Sequence, residues 1–166
     1  MATVYGFART MSRGDDLDER SARFMAMIEE ASEQMAELLD ELGAAARIES
    51  GRYEPVLRPA ATLDLVPSGD ERIGVEGAGE EIATDVEAVR RALLALAVAA
   101  LRHGPVDRVT WRVEGRLLEL SPVTAAAAPV VTGTEVKDLG SLVAGLVVEA
   151  MGGSIELAGE TLRVRL

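Results

Sequence analysis

The longest organised stretch of the chain runs from Phe24 to Ile48, where Phe24, Ile28, Ala31, Met35, Leu38, Leu42 and Ala45 recur at spacings of four and three. That is the apolar seam of a helix held over about three heptads. Glu29, Glu30, Glu33, Glu37, Asp40 and Glu41 fill the remaining faces. Each seam side chain gains roughly 1.5–3 kcal/mol on burial, so the stripe calls for a partner helix, either the segment before it, a second copy of the chain, or both. Val4, Phe7, Ala8 and Met11 also fall at helical spacing, and RGDDLDE interrupts the pattern. Gly14 reads as a stop and Asp16 or Asp18 as the N-cap of the long helix, which should end near Ser50-Gly51 with Gly51 closing it. The two segments predict a helical hairpin with a short first arm.

Tyr53 to Asp70 holds Pro55, Pro59 and Pro67 without a sustained period. It reads as a linker with a short element at Thr62 to Val66, and places a boundary between two modules near residues 52–60. Beyond it, Arg72 to Glu76 and Glu81 to Thr84 read as short strands joined by a turn at Gly77-Ala78-Gly79. Asp85 caps a helix over Val86 to His103, which Gly104-Pro105 breaks. Val109 to Val113 and Leu117 to Leu120 flank Glu114-Gly115 as a hairpin. Val123 to Gly133 reads as a loop, Asp138 to Met151 as a second apolar helix stopped by Gly152-Gly153, and Ser154 to Leu157 with Thr161 to Val164 as a closing hairpin around Gly159. Strands mixed with two apolar helices predict a sheet covered by helices on one face, an α+β layer.

Composition narrows the chemistry. With 166 residues, 48% apolar and 3% aromatic, the chain is long enough for one or two small domains with a real core. It has no cysteine, which excludes disulfides, thiolate metal sites and thiol nucleophiles, and its one histidine, His103, cannot make a multi-histidine metal centre. The formal charge is −11, and eleven acids between Asp15 and Glu49 face three arginines there, a local net of −8. Such a surface disfavours nucleic-acid backbones and reads as a solvated helix face or as one that prefers a basic partner. The longest apolar run, Ala92 to Leu101, falls far short of the ~20 residues of a membrane span, and no signal peptide is visible, so the expected location is cytoplasmic.

The order of these segments resembles the transmitter core of sensor histidine kinases across nearly the whole chain. VYGFARTM, and DERSARFMAMIEEASEQMAELLDELGAAARIESGRYEP with its ARIESGR tail, are similar to the dimerisation and phosphotransfer hairpin. ATDVEAVRRALLALAVAALRHG resembles the asparagine-box helix, and DLGSLVAGLVVEAMGGSIEL the second glycine box with its helix and strand. The resemblance implies a helical hairpin over 1–52 that forms a dimeric four-helix bundle, a linker over 53–60, and a small ATPase-like α/β sandwich over 61–166. It implies a homodimer through Phe24, Ile28, Ala31, Met35, Leu38 and Leu42. It also implies a response regulator or partner kinase on a surface that includes Tyr5, Arg9, Arg13, Arg20 and Arg23.

The departures from the family imply a degenerate member. The family's phosphoacceptor histidine stands ahead of the position of Tyr5, and this sequence shows none there; a native chain with upstream domains could carry it, and Ala95, Ala99 and Asp138 would still disable the nucleotide site. Ala95 and Ala99 stand where the asparagines fall, and a methyl group cannot ligate magnesium. No acid lies between Glu119 and Glu135 to accept from an adenine amino group, and the lid is short. Gly140 remains in the second glycine box, but Asp138 replaces its first glycine and would repel triphosphate; as a bland alternative, Asp138 is a helix N-terminal acid. The expectation is a pseudo-histidine-kinase without a cofactor or catalytic residues, acting by protein–protein contact. The alternative is a kinase or phosphotransferase fragment that keeps ATP binding or uses His103, for which capping or packing at a helix end is the simpler role. Ser12, Ser21 and Ser32 have no base at usable spacing. Gly74, Gly77, Gly79, Gly152 and Gly153 read as turn or cap residues, and Trp111 as core.

Overall fold

The computed structural model describes Gly6 and residues 18–166. Apart from Gly6, the short first arm over 2–13, with Tyr5, Arg9 and Arg13, falls outside the described residues, as does the cap candidate Asp16. The chain divides into two compact units, Met1–Gly43 and Ala44–Leu166.

Helix α1 runs over Glu19–Glu49. Asp18 starts it by accepting the Ser21 N–H at 2.7 Å, and that bond lowers the carboxyl pKa below the usual range. Gly51, at φ +66°, ends it; the Gly51 and Arg52 N–H groups donate back to the Ile48 and Arg47 carbonyls. Within the first unit the predicted seam is exposed. Phe24 is 50% and Leu42 52% accessible, and Met27 and Leu39 beside them are exposed as well. Ser32 is the buried residue of this helix.

The second unit is a sheet layer and a helix layer around one core. A five-stranded sheet has the order β2–β4–β5–β7–β6, with β2 at Ile73–Gly79, β4 at Val109–Gly115, β5 at Leu117–Ser121, β6 at Ser154–Ala158 and β7 at Thr161–Arg165. Strands β2 and β4 are parallel, and the remaining pairs are antiparallel. Helices α3 (Val86–His103) and α5 (Leu139–Ala150) pack together over one face. Alternation decides which side chains they meet: Val109, Trp111 and Val113, Leu118 and Leu120, Leu162 and Val164 all point inward and are buried. Ala44, Ala45 and Ile48 at the end of α1, and Tyr53 after it, pack against the same core.

The outer face is polar and ordered. Glu76, Arg112, Glu119, Arg163 and Glu156 are cross-strand neighbours in one row spanning all five strands. Their charges alternate, and the row closes at 2.9 Å between Arg163 and Glu119, 3.6 Å between Arg112 and Glu76, and 4.0 Å between Arg163 and Glu156. Opposite charges directly across strands favour this register over a slipped one.

Three expectations change. Strands β2 and β3 (Glu81–Asp85) do not form a hairpin: β2 pairs parallel with β4, while β3 pairs antiparallel with β1 (Leu57–Ala61) in a separate ribbon. Gly77 is therefore a position inside a strand, at φ +105°. A Cβ there would run into the Val113 carbonyl oxygen, so the glycine signal marks close backbone approach. The stretch read as a linker carries β1 as well as the short helix α2 (Thr62–Leu65), and the loop over 123–133 carries helix α4 (Ala128–Val131). The closing hairpin, the β4–β5 hairpin and both long helices of the second unit fall where the pattern put them.

Candidate functional site

The site to test is the one where the resemblance expects a nucleotide, between the end of α3 and the start of α5. Helix α3 is long, rich in alanine and leucine, and started by Asp85, whose Oδ1 accepts the Ala88 N–H at 3.2 Å. Its apolar side brings Ala99 into the core with no exposed surface, and Ala95 is half-buried. Neither methyl offers an oxygen to a hard cation. Among the described residues, no group of three or more His, Cys, Asp or Glu side chains is placed to hold a metal ion.

Helix α5 starts at Leu139, and Asp138 is its N-cap. The Asp138 side chain is 7% exposed. Its Oδ1 accepts the Ser141 N–H at 3.1 Å, and the Ser141 hydroxyl donates to the Val130 carbonyl at 2.9 Å, which ties α4 to the start of α5. The cap role read from sequence is the role seen. Its partners come from elsewhere: Arg102 on α3 donates to Oδ2 at 2.9 Å, and His103 Nε2 lies 3.5 Å from the same oxygen. That distance is within ion-pair range, but the geometry makes no hydrogen bond, and Nε2 is buried without a partner. Gly140 is half-buried in the first turn of α5.

An open helix N-terminus is a ready anion site, because its first N–H groups and the helix dipole both favour negative charge. Here the protein's own carboxylate takes the Ser141 N–H, and Arg102 from α3 neutralises it. The cap bond and the Arg102 pair together engage both oxygens of the Asp138 carboxylate. The C-terminal end of α3 is also closely packed: a Cβ on Gly104 would lie 2.7 Å from the Ala100 carbonyl oxygen and 2.9 Å from the Thr124 hydroxyl oxygen.

The acid beside His103 is Asp138, 35 residues away in the chain. Neighbouring segments give no sign of that pairing. A second carboxylate whose partners were missed is Asp85, whose Oδ2 accepts from the Tyr53 hydroxyl at 3.1 Å and the Val56 N–H at 3.2 Å. Of the surface arginines, Arg20 lies over the Phe24 ring at 5.7 Å, and Arg23 pairs with Glu19 one turn back.

By sequence the chain matches no family model and no curated protein. Solved structures do match. The Acinetobacter baumannii histidine kinase AdeS is 15% identical, with a TM-score of 0.59 over 98% of this chain and 93% of that one. The full-length ShkA structure in complex with AMPPNP is 19% identical at a TM-score of 0.68, over 97% of this chain, which spans 41% of that protein. The cytoplasmic segment of histidine kinase QseC is 12% identical at a TM-score of 0.50, over 80% of this chain and 92% of that one. Identities this low speak for the fold: the chain has a histidine-kinase-like fold.

Proposed function

We propose that this chain is a pseudo-histidine-kinase of two-component-type signalling, which acts by binding a response regulator or a partner kinase and does not transfer phosphate from ATP. One observation supports the reading: a buried carboxylate, Asp138, caps the α5 N-terminus, where the resemblance expects phosphates, and the same resemblance puts Ala95 and Ala99 at the positions of magnesium ligands. The enclosed Nε2 of His103 speaks against phosphotransfer at that nitrogen. In this reading residues 1–52 form the dimerisation hairpin, 53–60 the linker and 61–166 the degenerate ATPase-like domain.

The exposed stripe of Phe24, Ile28, Ala31, Met35, Leu38 and Leu42 supports association of two copies through a four-helix bundle. At roughly 1.5–3 kcal/mol per buried side chain, it offsets the entropy cost of association. Arg20 and Arg23, with Tyr5, Arg9 and Arg13, are the residues assigned to partner contact.

The test is incubation of the purified chain with magnesium and γ-labelled ATP. The expected result is no label on the protein. Label that is present on the wild type and lost in His103→Gln would overturn the reading in favour of an active phosphotransferase. Sedimentation at about 50 μM, well above a Kd of about 1 μM, should show a dimer that Leu38→Glu dissociates; a monomeric wild type would refute the bundle.

A further inference from the structure

Asp85 serves more donors than a helix cap requires. Its Oδ1 takes the Ala88 N–H at the start of α3, while its Oδ2 takes the Tyr53 hydroxyl and the Val56 N–H from the connector that follows α1. The connector is held at both ends. On one side Ala44, Ala45 and Ile48 pack on the sandwich core before the helix stops at Gly51. On the other, Leu57 opposes Asp85 itself in the β1–β3 ribbon. Between these anchors, the bonds to Asp85 are what tie residues 53–56 to the start of α3. Arg47 from α1 and Arg91 from α3 act electrostatically on the Tyr53–Asp85 pair.

We infer that Asp85 and Tyr53 form a latch that holds the connector down on the sandwich and opens without unfolding α3. The two carboxylate oxygens divide the work: one keeps the helix cap, and the other keeps the connector. Losing the Tyr53 bond leaves the connector to the Val56 bond and the Tyr53 ring's packing, which loosens it, while the Ala88 bond stays. A carboxylate that only capped the helix would leave the connector indifferent to the Tyr53 hydroxyl. This device stands whether or not the chain binds nucleotide.

Hydrogen exchange on the whole chain tests it, with Tyr53→Phe as the decisive variant because the ring's packing is retained and only the hydroxyl is lost. The Val56 amide, held by the same Asp85 oxygen as the Tyr53 hydroxyl, should exchange about tenfold faster, as expected for weakening of a hydrogen bond to a charged group. The first turn of α3 should keep its wild-type protection. In Asp85→Ala both the connector and that first turn should speed up. Unchanged exchange over 52–56 in Tyr53→Phe, or an increase spread evenly over the sandwich, would overturn the latch. Should Asp85→Ala fail to fold, the Tyr53→Phe pattern still decides.

Discussion

Replacing Asp138 separates a helix cap from an ion pair, and the structure sets the size of each. The cap bond to the Ser141 N–H is buried, at 3.1 Å, and an N-cap lost to alanine costs about 0.5–2 kcal/mol. The Arg102 pair adds less, because Arg102 is 64% exposed and such pairs contribute about 0.2–1 kcal/mol. Asp138→Ala should therefore lose about 1–3 kcal/mol, or roughly 2–4 °C in Tm for each kcal/mol in a chain of this size. Asp138→Asn keeps a capping oxygen and should lose less than half as much. Arg102→Ala should lose no more than about 1 kcal/mol. Trp111 is the chain's one tryptophan and is fully buried in the sandwich, so its fluorescence in a urea titration reports this unit. A neutral Asp138→Ala would refute the cap as a stabilising contact. An Asn variant as damaged as the Ala variant would show that charge, not capping, sets the effect.

Arg163→Glu puts a third acid between Glu119 and Glu156 in the charge row. It should cost about 1–2 kcal/mol at low salt, shrinking as salt screens the exposed pairs; a salt-independent loss would contradict an electrostatic role. Gly77→Ala must place a methyl against the Val113 carbonyl at a positive φ, and should cost at least about 2 kcal/mol, again read by Trp111. Tyr53 titrates late: burial first, then its hydrogen bond to Asp85, push the phenol up to about 12. Its raised pKa means a contribution fully present below the unfolded value near 10, lost as pH rises through about 12. The tyrosinate absorbance of wild type minus Tyr53→Phe should show that late step, and a step near 10 would contradict it. Asp85 behaves in the opposite sense: burial pushes it up, but the Ala88 and Val56 N–H groups, the Tyr53 hydroxyl and Arg91 outweigh burial and hold it below 3.8. Its contribution is present above that value and is lost as pH falls through the folded pKa.

What could be read from the chain was what local chemistry writes there. Asp85 and Gly104 bracket α3, Gly115 and Gly159 sit at two hairpin turns, and the alternation of Val109, Trp111 and Val113 announces a half-buried strand. The failures share one cause, contacts distant in sequence. Gly77 and Gly79 look like a turn, and only the parallel pairing with β4 turns Gly77 into a point of close approach. Pro59 argued for a linker, yet an edge strand tolerates proline, and β1 is one. Asp138 was readable as a cap, but Arg102 and His103 reach it only because α3 and α5 pack side by side. The row from Glu76 to Glu156 is five residues from five strands, invisible to any periodicity.

The central proposal is that the histidine-kinase-like sandwich does not bind a nucleotide, and binding of ATP itself tests this most directly. Thermal unfolding of the purified chain, followed through Trp111 at about 1 mM ATP with excess magnesium, should match unfolding without nucleotide, and calorimetric titration should give no saturable heat. A site with a Kd of about 10 μM would add about 2.7 kcal/mol of stability under those conditions, a rise of roughly 5–10 °C in Tm. A shift of that size would contradict the account.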